Sequence, residues 1–121
     1  MVSNICTRLL KKEWRLYELD RVPHLEVIYI IGITGRNKSD SYEETNVLYV
    51  GRTNDVHRRL GEHTRQNHKI DEFVKNQFEK NKGKDLQVKW IEEKNDDHTE
   101  KEYIDCIAKK LGYWPEYNIR R

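Results

Sequence analysis

Two short apolar runs in the first half of the chain predict neighbouring β-strands. Residues 25–31 (LEVIYII) are almost continuously apolar, which predicts a central strand covered on both faces. Side chains alternate across a strand, so one of its faces would carry Val27, Tyr29 and Ile31. Residues 47–50 (VLYV) combine β-branched and aromatic side chains and predict a second, buried strand.

The polar residues 32–46 (GITGRNKSDSYEETN) lie between these runs and predict a long connection. An antiparallel hairpin around it would bring Tyr29 close to Tyr49. Connections of this length often serve a function, so Arg36 and Lys38 are candidates for contact with a substrate. The alternative is a disordered hairpin tip that takes no part in binding.

The residues after the second run predict a helix that ends near Gln66. Either Thr53 or Asp55 would accept a hydrogen bond from the free N–H groups at the start of this helix. Val56 and Leu60 are four residues apart and would face the core.

A cation and an imidazole lie on a neighbouring face of the same helix. Arg59 and His63 are also four residues apart, so their side chains would converge on one point. The backbone N–H groups at the helix start add further donors for a negatively charged group. This segment therefore predicts a site for an anionic ligand.

The rest of the chain predicts three further helices and one further strand. Apolar spacing favours helices over residues 4–19, from Ile70 to a stop at 81–83, and over 100–111. Residues 86–90 alternate between apolar and polar side chains, as in a half-exposed strand.

These elements predict an α+β fold with a small three-stranded, mostly antiparallel sheet flanked by helices. At 121 residues the chain has room for one modest core. We expect residues 25–121 to form this domain, and residues 1–24 to form a helical extension packed on it.

Composition excludes several classes of protein. Hydrophobic and charged residues each make up 36% of the chain, which predicts a small core and a highly charged surface. The net charge of +2 permits nucleic-acid binding without requiring it. No apolar run approaches the ~20 residues that span a membrane, and the N-terminus lacks the pattern of a signal peptide.

The chain has two cysteines, Cys6 and Cys106, which are too few for a disulfide framework or a zinc site. We expect both to be reduced thiols. With no membrane span and no signal peptide, the sequence predicts an intracellular protein of the cytoplasm or nucleus.

The last predicted helix offers two candidate carboxylates. Glu102 has a structural explanation, because Thr99 and Glu102 match the spacing of a capping box. Glu100 precedes Tyr103 and Ile104 by three and four residues, so it would share their inward face. A carboxylate there needs a cation or a metal ion as its partner. The alternative is a favourable negative charge at a helix N-terminus.

The chain resembles a known family at its two strands and the helix that follows. Tyr49-Val50-Gly51, followed by Arg59 and His63, resembles the second half of the GIY-YIG endonuclease motif. Val27-Ile28-Tyr29 corresponds to the first half, with valine in place of the usual glycine.

In that family a helix-borne glutamate holds a single divalent metal ion, and an asparagine follows on a segment often written P-x-Y-N. Glu100 and the segment Pro115–Asn118 match these two features. The resemblance covers most of the chain, from Val27 to Asn118. It implies six catalytic positions, with Glu100 also the metal ligand: Tyr29, Tyr49, Arg59, His63, Glu100 and Asn118.

The resemblance implies a divalent-metal-dependent endonuclease that hydrolyses DNA phosphodiester bonds by a single-metal mechanism. Glu100 would hold Mg²⁺ or Mn²⁺, and Arg59 would bind the phosphate. One of the two tyrosines would position or deprotonate the attacking water, and the sequence leaves open which. His63 would orient a tyrosine or move its proton, and Asn118 would hold a phosphate or a tyrosine.

Further contacts to nucleic acid are predicted at Arg52, His57 and Arg58, with an exposed polar face as the alternative interpretation. A protein with one active site needs a homodimer, or two successive events, to cut both strands. Two other functions remain open from the sequence. One is a nucleotide phosphohydrolase on the same scaffold, and the other is a nucleic-acid-binding module without catalysis.

Overall fold

The computed structural model describes residues 4–36, 43–66, 68–94 and 96–118, and the structural statements below concern these residues. Within them, helices and strands follow one another along the chain. They are α1 (Thr7–Lys11), β1 (Arg15–Leu16), a 3-10 turn (Leu19–Arg21), β2 (Val27–Arg36), β3 (Glu43–Thr53), α2 (Val56–His63), α3 (Lys69–Asn81), β4 (Leu86–Glu92) and α4 (Asp97–Leu111).

The strands form one antiparallel sheet in the order β1-β4-β2-β3. The central strand β2 pairs Tyr29 with Gly51 on β3 and with Trp90 on β4. The predicted α+β class and the antiparallel sheet are confirmed. The prediction of three strands is wrong, because Arg15 and Leu16 add a fourth strand at the edge of β4.

Each face of the sheet supports its own hydrophobic cluster. Val27, Tyr29 and Ile31 lie in one cluster with apolar residues of α2 and α3. Ile28 and Ile30 lie in the other, with residues of α1 and α4. The predicted alternation along β2, and its coverage on both faces, are therefore confirmed.

The predicted helix over residues 4–19 is wrong. The α-helix ends at Lys11, and Trp14 instead packs across β2, where a β-carbon on Gly32 would lie 2.9 Å from the indole. The Lys89 ammonium lies 4.3 Å from the centre of the same indole ring. These contacts with the sheet outweigh the imperfect helical spacing of the segment.

The predicted half-exposed character of β4 is also wrong at Lys89, which is only 4% exposed. Its ammonium donates hydrogen bonds to the carbonyl oxygens of Leu10 and Lys12 at 2.9 and 3.2 Å. Burial lowers the pKa of Lys89 to about 8. The N-terminal segment therefore covers the face of β4 that the sequence pattern assigned to solvent.

Cys6 and Cys106 form a disulfide, so the prediction of two reduced thiols is wrong. The bond joins the residue before α1 to the third turn of α4, and both sulfur atoms lie in the second hydrophobic cluster. The intracellular location and the division at residue 24 stay predictions.

The hairpin arms are longer than predicted, since β2 runs to Arg36 and β3 begins at Glu43. Residue Lys38 lies outside the described residues, so its predicted substrate contact, like that of Arg36, stays a prediction. No helix in the described ranges combines the length and apolar character needed to cross a membrane.

Candidate active site

A buried chain of hydrogen bonds runs from β2 through α2 to α3. The Tyr29 hydroxyl lies 2.8 Å from His63 Nε2, and His63 Nδ1 lies 2.5 Å from Asp71 Oδ1. All three residues are 0% exposed. A phenol, an imidazole and a carboxylate therefore form a connected polar path within the hydrophobic core, where each must be hydrogen-bonded.

The sequence around α2 directs His63 inward. Asp55 caps the helix by accepting a hydrogen bond from Arg58 N, which settles the choice between Thr53 and Asp55. Val56 and Leu60 are fully buried, and His63 follows Leu60 by three residues on the same face. The helix that buries the apolar pair therefore also carries the imidazole to Tyr29.

Arg59 and His63, four residues apart on α2, both lie beside Tyr29 and Tyr49. The rings of Tyr29 and Tyr49 are 6.1 Å apart, and that of Tyr49 is 5.6 Å from His63. The positive charge of Arg59 opposes the rise in the pKa of both tyrosines, and the guanidinium donates a hydrogen bond to Glu62 at 3.2 Å. The arginine thus lies between the buried path and the surface.

Burial sets the protonation states of this group. It raises the pKa of Tyr29 well above the ordinary value, with the neighbouring Tyr49 adding to the effect and Arg59 opposing it. Burial also raises the pKa of Tyr49, again against Arg59. Burial lowers the pKa of His63, although Asp71 opposes this shift. Both phenols are therefore protonated and the imidazole is neutral at pH 7.

An open cleft of about 290 Å³ lies at the surface above these residues. Tyr49 and Glu100 both contribute to its lining, as do three arginines. Such a concentration of guanidinium groups beside one carboxylate suits a phosphate-bearing ligand. The arginines are Arg52, Arg58 and Arg59.

Glu100 reaches this cleft from the first turn of α4. Its carboxylate lies 3.8 Å from Arg52 Nε, and both side chains are about one-third exposed (30% and 29%). Arg52 also pairs with Asp97. The Glu100 carboxylate is therefore partly exposed at the cleft.

The predicted capping box of Thr99 and Glu102 is wrong. The helix begins three residues earlier than that box requires, and the Asp96 side chain caps it through His98 N. Glu102 pairs with His98 at 2.6 Å and does not line the cleft. Of the two carboxylates weighed from the sequence, only Glu100 lies in the cleft.

Asn118 lies beside β3 and holds its backbone. The amide oxygen of Asn118 accepts from Val50 N, and its amide nitrogen donates to Val50 O, both at 2.8 Å. Tyr117 N adds a hydrogen bond to Leu48 O at 2.9 Å. The closing segment thus pairs with the outer edge of the strand that carries Tyr49.

The three residues predicted to contact nucleic acid occupy different settings. Arg52 and Arg58 line the cleft. His57 faces away from it, toward the N-terminal segment. Its Nδ1 donates to Val22 O at 2.8 Å, and its ring lies 4.4 Å from that of His24.

Sequence reasoning missed Asp71. Its sequence signal is its place on α3, three residues before the buried Val74, which puts a carboxylate on the apolar face of the helix. A charged residue in such a stripe requires a buried partner, and that partner is His63.

The fold and this site agree with a comparison against protein-family models. Residues 26–111 match the GIY-YIG catalytic domain, which is most of the chain. No curated protein and no solved structure matches significantly. The matched region contains the hairpin, α2 and the Glu100 helix. The chain therefore belongs to the GIY-YIG catalytic domain family, a nuclease-type family.

Proposed function

We propose that the protein is a divalent-metal-dependent endonuclease that hydrolyses DNA phosphodiester bonds by a single-metal mechanism. One observation carries the proposal. The cleft combines three arginines, a carboxylate and Tyr49, whose ring lies 6.1 and 5.6 Å from the rings of the buried, hydrogen-bonded pair Tyr29 and His63. These are the groups needed to bind a phosphate, neutralise developing charge and remove a proton from water.

The arginines supply the phosphate-binding part of this site. A guanidinium group presents a fork of N–H donors that matches two phosphate oxygens. Arg59 has the least exposed side chain of the three, and its guanidinium donates a hydrogen bond to Glu62 at 3.2 Å. It would bind the scissile phosphate, while the more exposed Arg58 would contact the neighbouring backbone.

Glu100 fits a divalent cation. In the described part of the chain, no three His, Cys, Asp or Glu side chains come together as a metal-binding group. Mg²⁺ and Mn²⁺ bind well to one carboxylate when water and phosphate oxygens complete the shell. A bound ion would neutralise the phosphate charge and stabilise the leaving oxygen. The side chain of Glu100 is 30% exposed, which leaves its carboxylate accessible to a cation.

The tyrosines would relay a proton to His63. Tyr49 lines the cleft, whereas Tyr29 is fully buried behind it, with its ring 6.1 Å from that of Tyr49 and its hydroxyl 2.8 Å from His63 Nε2. Because burial raises the pKa of both phenols, neither is a good base as a tyrosinate. Tyr49 would instead accept a proton from the attacking water and give its own hydroxyl proton to Tyr29. Tyr29 would then give its hydroxyl proton to His63. Neutral His63 would receive the proton at Nε2 as the water oxygen bonds to phosphorus and the bond from phosphorus to the leaving oxygen breaks.

The test is cleavage of supercoiled plasmid by the pure protein with Mg²⁺, with Mn²⁺ or with chelator. We expect metal-dependent nicking, and about a 100-fold to 1,000-fold slower reaction in Arg59→Ala, since one preorganised donor commonly contributes that much. Arg65→Ala is the matched control, because it removes the same charge from a residue outside the cleft lining.

Free nucleotides in parallel reactions separate the endonuclease from a nucleotide phosphohydrolase. Turnover of nucleotides without plasmid nicking would contradict the proposal. Plasmid retention without any cleavage would instead indicate a binding module. A homodimer, or two successive events, stays a prediction for double-strand cutting, and the molar mass of the protein in solution distinguishes the two.

A further inference from the structure

Asp71 ends the buried hydrogen-bonded path, and both of its carboxylate oxygens are occupied. Oδ1 lies 2.5 Å from His63 Nδ1, and Oδ2 accepts a hydrogen bond from His68 N at 3.1 Å. The residue is fully excluded from solvent. A carboxylate in such a place is stable only because both oxygens have donors.

The contact with Asp71 determines which nitrogen of His63 carries the proton. A neutral imidazole has one N–H and one lone pair. An ionised carboxylate only accepts hydrogen bonds, so the N–H must lie on Nδ1, facing Asp71. The lone pair of Nε2 then faces the Tyr29 hydroxyl at 2.8 Å. In the opposite tautomer, an Nε2 proton would point at the hydroxyl, and Nε2 could accept nothing from it.

We propose that Asp71 is a positioning residue for phosphodiester cleavage, because it holds His63 in the tautomer that accepts the Tyr29 proton. The inference rests on the proposed nuclease function for its catalytic consequence. When the Tyr29 proton moves to Nε2, the Nδ1 proton stays in place, and the ring becomes an imidazolium beside the Asp71 carboxylate. The negative charge of Asp71 then stabilises the positive charge that forms on His63.

A purely structural role for Asp71 is the competing explanation. Asp71 is the third residue of α3, where a carboxylate often caps the free backbone N–H groups. The cap occupies only Oδ2, however, and the helix has a second acidic residue in its first turn, the exposed Glu72. The hydrogen bond from His63 is therefore additional to the cap, and the two roles are separable by substitution.

The substitution Asp71→Asn separates the helix-capping role of Asp71 from its role in positioning His63. The amide oxygen of the variant keeps the hydrogen bond from His68 N, while its NH₂ group faces His63 Nδ1. A donor at that position favours a lone pair on Nδ1 and a proton on Nε2. We expect kcat to fall on the order of 100-fold, with KM little changed and the melting temperature close to that of the wild type. Glu72→Gln, which removes a charge from the same helical turn, should leave kcat unchanged.

Two further measurements distinguish positioning from a structural role. In a double-mutant cycle, Asp71→Asn should have almost no effect on kcat in a His63→Gln background, since the residue it acts through is gone. The nitrogen chemical shifts of His63 report the tautomer directly, without any need for activity. We expect a proton on Nδ1 in the wild type and on Nε2 in Asp71→Asn.

The outcomes are decisive either way. Wild-type nicking by Asp71→Asn, or an equal loss of kcat in both backgrounds, would overturn the proposal. If the wild type cleaves no DNA, the proposed function fails, and the chemical shifts still decide the role of Asp71. A wild-type His63 with its proton on Nε2 would overturn that role, whereas a proton on Nδ1 that moves in Asp71→Asn would support it.

Discussion

The ring of Tyr29 lies directly over the backbone of Gly51, its partner on the neighbouring strand. A β-carbon on Gly51 would lie 2.5 Å from both Cζ and the hydroxyl oxygen of Tyr29. The absence of a side chain at Gly51 therefore determines where the Tyr29 hydroxyl can be, and with it the 2.8 Å contact to His63.

Gly51→Ala should displace the Tyr29 ring. Because the ring is fully buried and closely surrounded, we expect the free energy of unfolding to fall by about 1–3 kcal/mol. Nicking should slow by more than this loss of stability explains, since the hydroxyl moves away from His63. Chemical denaturation and plasmid nicking measure the two effects.

Gly61→Ala is the matched control for this substitution. A β-carbon there would meet no atom closer than the Arg65 guanidinium at 3.6 Å, and alanine favours a helix by about 1 kcal/mol over glycine. We expect a more stable protein with unchanged nicking. Equal behaviour of the two alanine variants would contradict the role given to Gly51.

Removing either tyrosine hydroxyl should interrupt the proton relay, with different effects on stability. Tyr29→Phe leaves the buried Nε2 of His63 without a partner, which costs about 1–3 kcal/mol. Tyr49 is half-buried and lines the cleft, so Tyr49→Phe should change stability little. Both variants should lose nicking activity. If the Tyr49→Phe protein is as active as the wild type, the attacking water gives its proton to Tyr29 and not to Tyr49.

Stability should fall as the pH is lowered through the range below His63's ordinary pKa of 6.5. Burial lowers the pKa of His63 in the folded protein, so between the folded and unfolded values the unfolded chain binds more protons. The free energy of unfolding then rises with pH across this window, by at most about 1.4 kcal/mol per pH unit for one group.

Urea denaturation between pH 5 and 7.5 measures this slope. We expect a shallower slope in His63→Gln than in the wild type. His98→Gln, in which the lost imidazole was 81% exposed, should retain the wild-type slope. The same slope in all three proteins would mean that His63 is not buried in its neutral form.

The disulfide should contribute strongly to stability. Cys6 and Cys106 are 100 residues apart in the sequence, and a cross-link over a loop of that length restricts the unfolded chain by about 2–5 kcal/mol. Reductant, or a double substitution of both cysteines by serine, should lower the melting temperature. Thiol labelling of the native protein tests the bond itself, since two reactive thiols per chain would contradict it.

The spacing of apolar residues predicts the central strand β2 and the helix α2 that packs on it. Consecutive apolar side chains on β2 must alternate between two cores, and the spacing of Val56 and Leu60 fixes the buried face of α2. The direction of His63 follows from the same spacing. These features depend on residues close together in the sequence, so the sequence alone is enough to predict them.

Features that depend on distant contacts were not predictable in the same way. The helix ends at Lys11 because Trp14 packs on Gly32, and the pairing of Cys6 with Cys106 follows from where α4 lies. The bonds from both ends of the Asn118 amide to the Val50 backbone likewise depend on where the closing segment lies, and the catalytic role of Asn118 stays a prediction. Each outcome is decided by tertiary structure rather than by a local pattern.

The most direct test of the proposed mechanism is a metal titration of plasmid nicking by wild type, Glu100→Gln and Glu102→Gln. Glu102 lies on the same helix and pairs with His98, outside the cleft lining, so its substitution controls for loss of charge. We expect Mg²⁺- or Mn²⁺-dependent nicking by the wild type and Glu102→Gln, and none by a folded Glu100→Gln. Equal, metal-dependent nicking by all three proteins would contradict the assignment of Glu100 as the metal ligand.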